Sequence, residues 1–146
     1  MTTTALIACC AQKSEEPALA KDLYQSPLFK KSREYAEKNA DQYFIMSALL
    51  GLVSPDSFIG PYECSMYDKT ARGRRIWAGT VASQLRGAIH DGDTLIILAG
   101  RMYRDELLII FNLWYPNLNV QIPLEGLGIG QQLQALTKEN LHEQST

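Results

Sequence analysis

The chain has 146 residues, 46% of them hydrophobic, and a formal net charge of −2. That length suits one domain with an adequate core, and the mildly acidic balance excludes a polycation, so any nucleic-acid contact must come from a local basic patch. The three cysteines, two of them the vicinal Cys9 and Cys10, do not make the evenly numbered framework of a disulfide-stapled secreted domain. No stretch approaches 18 apolar residues, and the first ten residues lack the basic and long apolar regions of a signal peptide. His90 and His142 stand without partners at metal-ligand spacing. The expectation is a cytoplasmic protein without membrane segment, metal or cofactor; composition gives no oligomeric state.

In chain order, residues 3–10 are a short apolar run that ends in a polar loop, which predicts a buried first strand. Pro17 opens a helical turn through Lys21, Asp22 and Leu23. Ser26-Pro27 reads as an N-cap followed by proline at the first helical position, and that helix runs past Phe29, Tyr35 and Ala36 to Asn39. Residues 43–49 predict a second buried strand. Residues 51–70, with Pro55, Gly60 and Pro61, show no period; so long a loop in a compact domain is usually functional. Residues 71–89 read as a helix with Ile76, Trp77, Val81 and Leu85 on one face. Asp91-Gly92-Asp93 is a turn, residues 94–99 a third strand, residues 103–114 a helix and residues 119–124 a fourth strand. Gly126, Gly128 and Gly130 lead into a last helix through Leu133 and Leu136. The division is a single α/β domain over residues 1–138 and a polar tail over 139–146, expected to fray. Alternation of this kind implies three layers: a mostly parallel, four-stranded central sheet with helices on both faces.

In such sheets ligands bind beyond the carboxyl ends of the strands, which selects the loops that begin at Cys10, Ser47, Gly100 and Gly126. Lys13 in the first loop can hold an anion or a carbonyl oxygen, or stay a solvated surface lysine. Cys10 is either a nucleophile, given a stabilised thiolate, or a small buried hydrophobe. In the second loop Asp56 and Glu63 are candidate acid/base groups; Asp56 also suits a turn cap after Pro55. Lys69, Arg72, Arg74 and Arg75 put four cations within seven residues at a helix start. Cations there oppose the helix dipole, which favours an external anion over a merely solvated face. Gly100 allows close approach to the backbone, and Tyr103 can stack on a base or sit in the core. The run Gly126-Leu127-Gly128-Ile129-Gly130 opens a helix whose N–H groups can receive an anion, without the spacing of a dinucleotide fingerprint.

The stretch Ser47…Gly51-Leu52-Val53…Pro55-Asp56…Ile59…Pro61-Tyr62…Met66 resembles the central motif of YaaA-like proteins, and Leu98-Ala99-Gly100 with Tyr103 is similar to a second motif of that family. The opening Cys10…Lys13, with Tyr24 and Ser26 downstream, resembles small bacterial YaaA-related domains and the Cys-Ser-x-x-Lys opening of a domain in archaeosine synthases. YaaA-like proteins are much longer, and Glu63 stands where they carry another residue after Pro-Tyr. The resemblance implies a core related to uracil-DNA glycosylases and work on nucleic acids or modified bases, and small relatives of this kind include glycosylases that act in phage defence.

Three functions follow as expectations. The first is an enzyme that cleaves the N-glycosidic bond of a modified base in DNA. Glu63, with Asp56 second, would stabilise the cationic sugar or activate water. Ser47, Lys13, Tyr62 and Tyr103 would contact the flipped base, with Cys10, Tyr24, Gly100, Gly128 and Gly130 completing the pocket, and the four cations would hold the backbone. Lys13 as a Schiff-base nucleophile ranks lower. The second is a binding module for DNA or a nucleotide, and the third a hydrolase or transferase on free modified nucleosides.

Overall fold

The computed structural model describes residues 1–145, of which residues 142–145 are described as backbone only. The elements are β1 (Thr3–Ala8), β2 (Ala18–Leu19), α1 (Ala20–Leu23), α2 (Pro27–Asn39), β3 (Gln42–Ser47), β4 (Gly51–Val53), β5 (Phe58–Ile59), α3 (Ala71–Leu85), β6 (Thr94–Leu98), α4 (Arg101–Trp114), β7 (Asn119–Gln121) and α5 (Ile129–Ser145), with a single 3-10 turn at Met66–Asp68 before α3. The α2 signal reads true: Ser26 caps the helix, its hydroxyl accepting from the Phe29 N–H at 3.1 Å, with proline in the first turn. Such a cap stabilises a helix by about 1 kcal/mol.

The protein is α/β with a five-stranded, mostly parallel sheet in the order β4-β3-β1-β6-β7. β1 pairs parallel with both β3 and β6, and β6 with β7. Four strands were expected; the fifth is β4, which pairs antiparallel with β3, Ser47 facing Gly51. It lies inside the segment read as loop, and three residues are too few to display alternation. The reversal needs Gly51, whose φ is +77° and where a Cβ would stand 2.7 Å from the Gln84 side-chain oxygen. That oxygen accepts from the Leu52 N–H at 2.7 Å and covers the sheet edge.

Side-chain alternation along the strands builds two cores. Leu6, Met46, Leu95 and Ile97 face Trp77, Val81, Leu85, Leu107 and Phe111 of α3 and α4. Ala5, Ile7, Ile45, Ile96 and Leu98 face Leu23, Phe29 and Ala36 of α1 and α2, and α5 packs on α2. Ile76 departs from the expected apolar face: it is 62% exposed, and the buried stripe of α3 is Trp77, Ala78, Val81, Ala82 and Leu85. The predicted helix over residues 71–89 ends at Leu85.

The segment from residue 139, expected as a fraying tail, continues α5 to Ser145. Two polar contacts with α2 hold this turn: the Lys38 ammonium donates to the Asn140 carbonyl at 3.0 Å, and the Asn140 amide donates to the Lys31 carbonyl at 3.4 Å. Thr146 and the His142 side chain lie outside the described residues. Among the described residues no helix is long and apolar enough to cross a membrane.

Candidate functional site

From β1 the chain steps to β3 on one side, returns past β1 to β6, and continues outward to β7. The strand order therefore reverses at β1, and ligands of open parallel sheets bind outside the carboxyl ends at such a reversal. Cys9, Cys10, Ser47 and Gly100 stand at those ends in β1, β3 and β6. The vicinal cysteines part company there. Cys9 Sγ hydrogen-bonds the Tyr103 hydroxyl at 3.4 Å, while Cys10 Sγ donates to the Gln12 carbonyl at 3.2 Å; both cysteines border a cavity beside α2.

A chain of hydroxyls crosses the end of β3. The Tyr24 and Tyr62 hydroxyls are 2.5 Å apart, and Tyr62 is 2.6 Å from Ser47 Oγ. Ser47 is fully buried; its Oγ accepts from the Leu49 and Leu50 N–H groups, and its carbonyl accepts from Trp77 Nε1 at 2.8 Å. Trp77 in turn meets Tyr103 edge-on, with centroids 5.6 Å apart. Two backbone clips bring these residues together. Lys13 and Tyr24 form an antiparallel bridge, flanked by bonds from the Ser14 N–H to the Leu23 carbonyl and from Gln25 to Gln12. β2 pairs antiparallel with β5, and the Ala20 and Lys21 N–H groups donate to the Ser57 and Pro55 carbonyls. The loop after β1 is thereby tied to the loop after β4. Lys13 Nζ then lies over the Tyr62 ring, 4.4 Å from its centroid, and 5.8 Å from that of Tyr24, within cation–π range.

Burial is the largest influence on these phenols. It pushes Tyr24 up to about 12 against the lowering hydrogen bond from Tyr62, and raises Tyr62 and Tyr103 well above the ordinary tyrosine value, with Cys9 adding to both. At neutral pH the three are uncharged hydrogen-bonding groups. Among the described residues no carboxylate hydrogen-bonds to this array. Glu63 follows Tyr62 in the chain, exposed and without an ion pair among the described residues. Asp56 is exposed on the clip between the loops, ion-paired with Lys21 at 3.1 Å. Its position suits the turn role more than an acid/base role at the array.

Beside the array a cavity of about 310 Å³ opens between the starts of α2 and α4 and the segment that leads into α5. Cys10, Phe29, Ser32, Gly100, Arg104 and Leu127 are among its lining. The Tyr24 ring packs on Phe29 at 5.1 Å, so array and cavity share a wall. Gly128 and Gly130 do not line it; they are exposed at the start of α5, and Gly126 and Leu127 face the cavity instead.

The basic group sits at the start of α3. Arg74 turns back to donate to the Lys69 carbonyl at 2.7 Å, and none of Lys69, Arg72, Arg74 and Arg75 pairs with a described carboxylate. Lys69 and the exposed Ile76, Leu49 and Leu50 border a shallow dish of about 200 Å³.

Four residues at the strand ends escaped the sequence reading: Cys9, Trp77 as a polar partner, Ser32 and Arg104. The last two had a signal. Arg104 stands three residues before Leu107 and seven before Phe111, and Ser32 stands between Phe29 and Ala36, so each interrupts an apolar helical stripe.

The family described as "Family of unknown function (DUF6884)" matches residues 4–138. The uncharacterized protein YfjM of Bacillus subtilis (strain 168) is 31% identical over 140 residues, covering 90% of this chain and 88% of that protein. No solved structure matches. With nearly the whole α/β body inside the matched region, the chain belongs to the family of unknown function DUF6884.

Proposed function

We propose that this protein is an N-glycosidic enzyme of the uracil-DNA-glycosylase and YaaA-like kind, acting on a modified nucleobase in DNA, a chemistry suited to defence against phage with modified genomes. The observation that carries this reading is the hydrogen-bonded run Tyr24–Tyr62–Ser47 under the Lys13 ammonium. It joins residues of the Ser47…Pro61-Tyr62 motif to those of the opening loop, at the carboxyl ends of the strands. In the reaction the bond from the sugar anomeric carbon to the base nitrogen breaks and the base leaves with the electron pair. Water adds to the cationic sugar and gives up a proton, leaving an abasic site. Glu63, unpaired and next to Tyr62, is the carboxylate for cation stabilisation and water activation. The neutral phenols donate hydrogen bonds to the departing base. Lys69, Arg72, Arg74 and Arg75, without carboxylate partners among the described residues, suit the phosphate backbone.

A second reading, recognition of DNA or a nucleotide without chemistry, is favoured by the lack of a described carboxylate bonded to the array. DNA carrying modified bases, incubated with the protein and assayed for released base and alkali-labile sites, separates the two. Abasic sites with the native chain and none with Glu63→Gln support the enzyme and its carboxylate. Binding with no base released from any DNA overturns it in favour of recognition. Activity on free nucleosides that survives a paired Arg74→Ala and Arg75→Ala change would assign the chemistry to small molecules instead.

A further inference from the structure

The cavity between α2, α4 and α5 contains polar groups that the fold does not satisfy. Arg104 is 8% exposed and lines the cavity. One of its nitrogens donates to the Ala99 carbonyl at 2.9 Å, which aims the guanidinium; the rest of the fork has no partner, and no described carboxylate pairs with it. A guanidinium carries a permanent charge, and its free N–H groups stay open to the cavity. Ser32, 3% exposed, lines the same cavity from α2, and its hydroxyl makes no hydrogen bond with the described residues. The hydroxyl stays open to the cavity. The start of α4 opens there too. Gly100 supplies no side-chain cap, and the Tyr103 and Arg104 N–H groups turn back to the Gly100 carbonyl, which leaves the N–H of Arg101, a residue of the cavity lining, unpaired. No Asp or Glu lines the cavity, and the charged neighbour Arg101 is exposed and paired only at 3.6 Å with Asp105. Leu28, Phe29, Leu98, Ile122 and Leu124 give the cavity apolar walls, and Ser26, Cys10 and Gln132 add polar groups at its edge.

We propose that this cavity binds the phosphate of a nucleotide, with Arg104 as its counter-charge, Ser32 and the Arg101 N–H at the start of α4 as hydrogen-bond donors, and the apolar walls against the organic body. The fork, the hydroxyl and the Arg101 N–H outnumber the acceptors a carboxylate offers and suit the oxygens of a phosphate. The volume suits a small organic group rather than a bare ion. This goes beyond the N-glycosidic reading and stands without it, since neither Glu63 nor the phenol array takes part.

The test is titration of the intact protein with inorganic phosphate, a 2′-deoxynucleoside 5′-monophosphate and a short single-stranded oligonucleotide, beside sodium chloride at equal ionic strength. The readouts are the thermal midpoint and the Nε–H resonance of Arg104, assigned by its loss in Arg104→Met. A saturable shift with phosphate and the monophosphate supports the site and assigns it to free nucleotides. A shift with the oligonucleotide alone supports it and assigns the phosphate to a strand. Arg104→Met should abolish the response. Ser32→Ala, which removes a hydroxyl with no partner among the described residues, should leave the thermal midpoint of the free protein close to the parent's while weakening binding about tenfold or more. No saturable shift with any probe, a response that chloride reproduces, or unchanged binding in Ser32→Ala would overturn the proposal.

Discussion

The two ends of the central sheet use charge in opposite ways. At the amino-terminal end, acidic side chains are consumed in holding the backbone. Asp93 accepts from the Thr2 N–H at 3.1 Å and the His90 N–H at 2.9 Å, Asp41 from Thr3 at 2.8 Å, and Asp91 from the N–H and side-chain amide of Asn117. At the carboxyl-terminal end the groups are phenols, a serine hydroxyl, a lysine and an arginine, with Glu63 unpaired. Saturated carboxylates mark an end that only has to stay closed. Neutral hydroxyls and unpaired donors mark an end built to meet something else.

The comparison can be broken or sharpened by substitution. The largest expected effect is Trp77→Ala. It opens the core on the α3 face and frees the Ser47 carbonyl, and should cost about 3–5 kcal/mol in denaturant unfolding. A cost below ~1 kcal/mol would mean that the array does not lean on the core. Next is Asp93. Its hydrogen bonds, that from Thr2 foremost, hold its carboxyl below the ordinary aspartate value. It therefore contributes stability above the ordinary aspartate range, and that contribution is lost as pH falls through this range towards the lower folded value. Asp93→Asn should drop the thermal midpoint by several degrees at neutral pH and flatten the acid limb; an unchanged limb would remove Asp93 from the closing role.

Tyr62→Phe should cost about 1–2 kcal/mol by stranding the Tyr24 and Ser47 hydroxyls. The phenols also set an alkaline limb. Their raised values mean that stability is intact below the ordinary tyrosine range, near 10, and is lost as pH rises through about 12, where Tyr24 ionises. Tyrosinate absorbance should show Tyr24, Tyr62 and Tyr103 silent until the protein unfolds; full ionisation in the native state near pH 10 would contradict their burial. Smallest is Glu63→Gln, expected within about 0.5 kcal/mol of the parent because the side chain is exposed and unpaired. A larger loss would show Glu63 to be structural and withdraw it from the reaction.

The strands and α2 were legible because apolar runs and the Ser26-Pro27 cap are local signals. β4 was not, since its pairing rests on a positive-φ glycine and a glutamine from α3. Within the site, Ser47, Tyr62 and Tyr24 could be singled out by motif, but their meeting could not. Tyr24 and Tyr62 are 38 residues apart, and Lys13 is farther still from the ring it covers. Arg104 and Ser32 were visible as polar intruders on apolar stripes, a signal that acquires meaning only when both turn out to border one cavity. The cations of α3 were plain in the sequence, although their freedom from carboxylates depends on where every acid ended up.

The β2–β5 clip makes the two loops one cooperative unit. Ala18 faces Ile59 and Leu19 faces Phe58, so neither loop can peel away without breaking the other's backbone bonds. Amide hydrogens of Leu19, Ala20 and Lys21 should then exchange with solvent together with those of the paired strand, through a shared opening. A proteolytic nick in residues 54–60 would loosen Tyr24 as well as Tyr62. Evolution can lengthen or recolour one of these loops only while keeping two residues of the other in step, which makes the pair a single heritable part of the molecule.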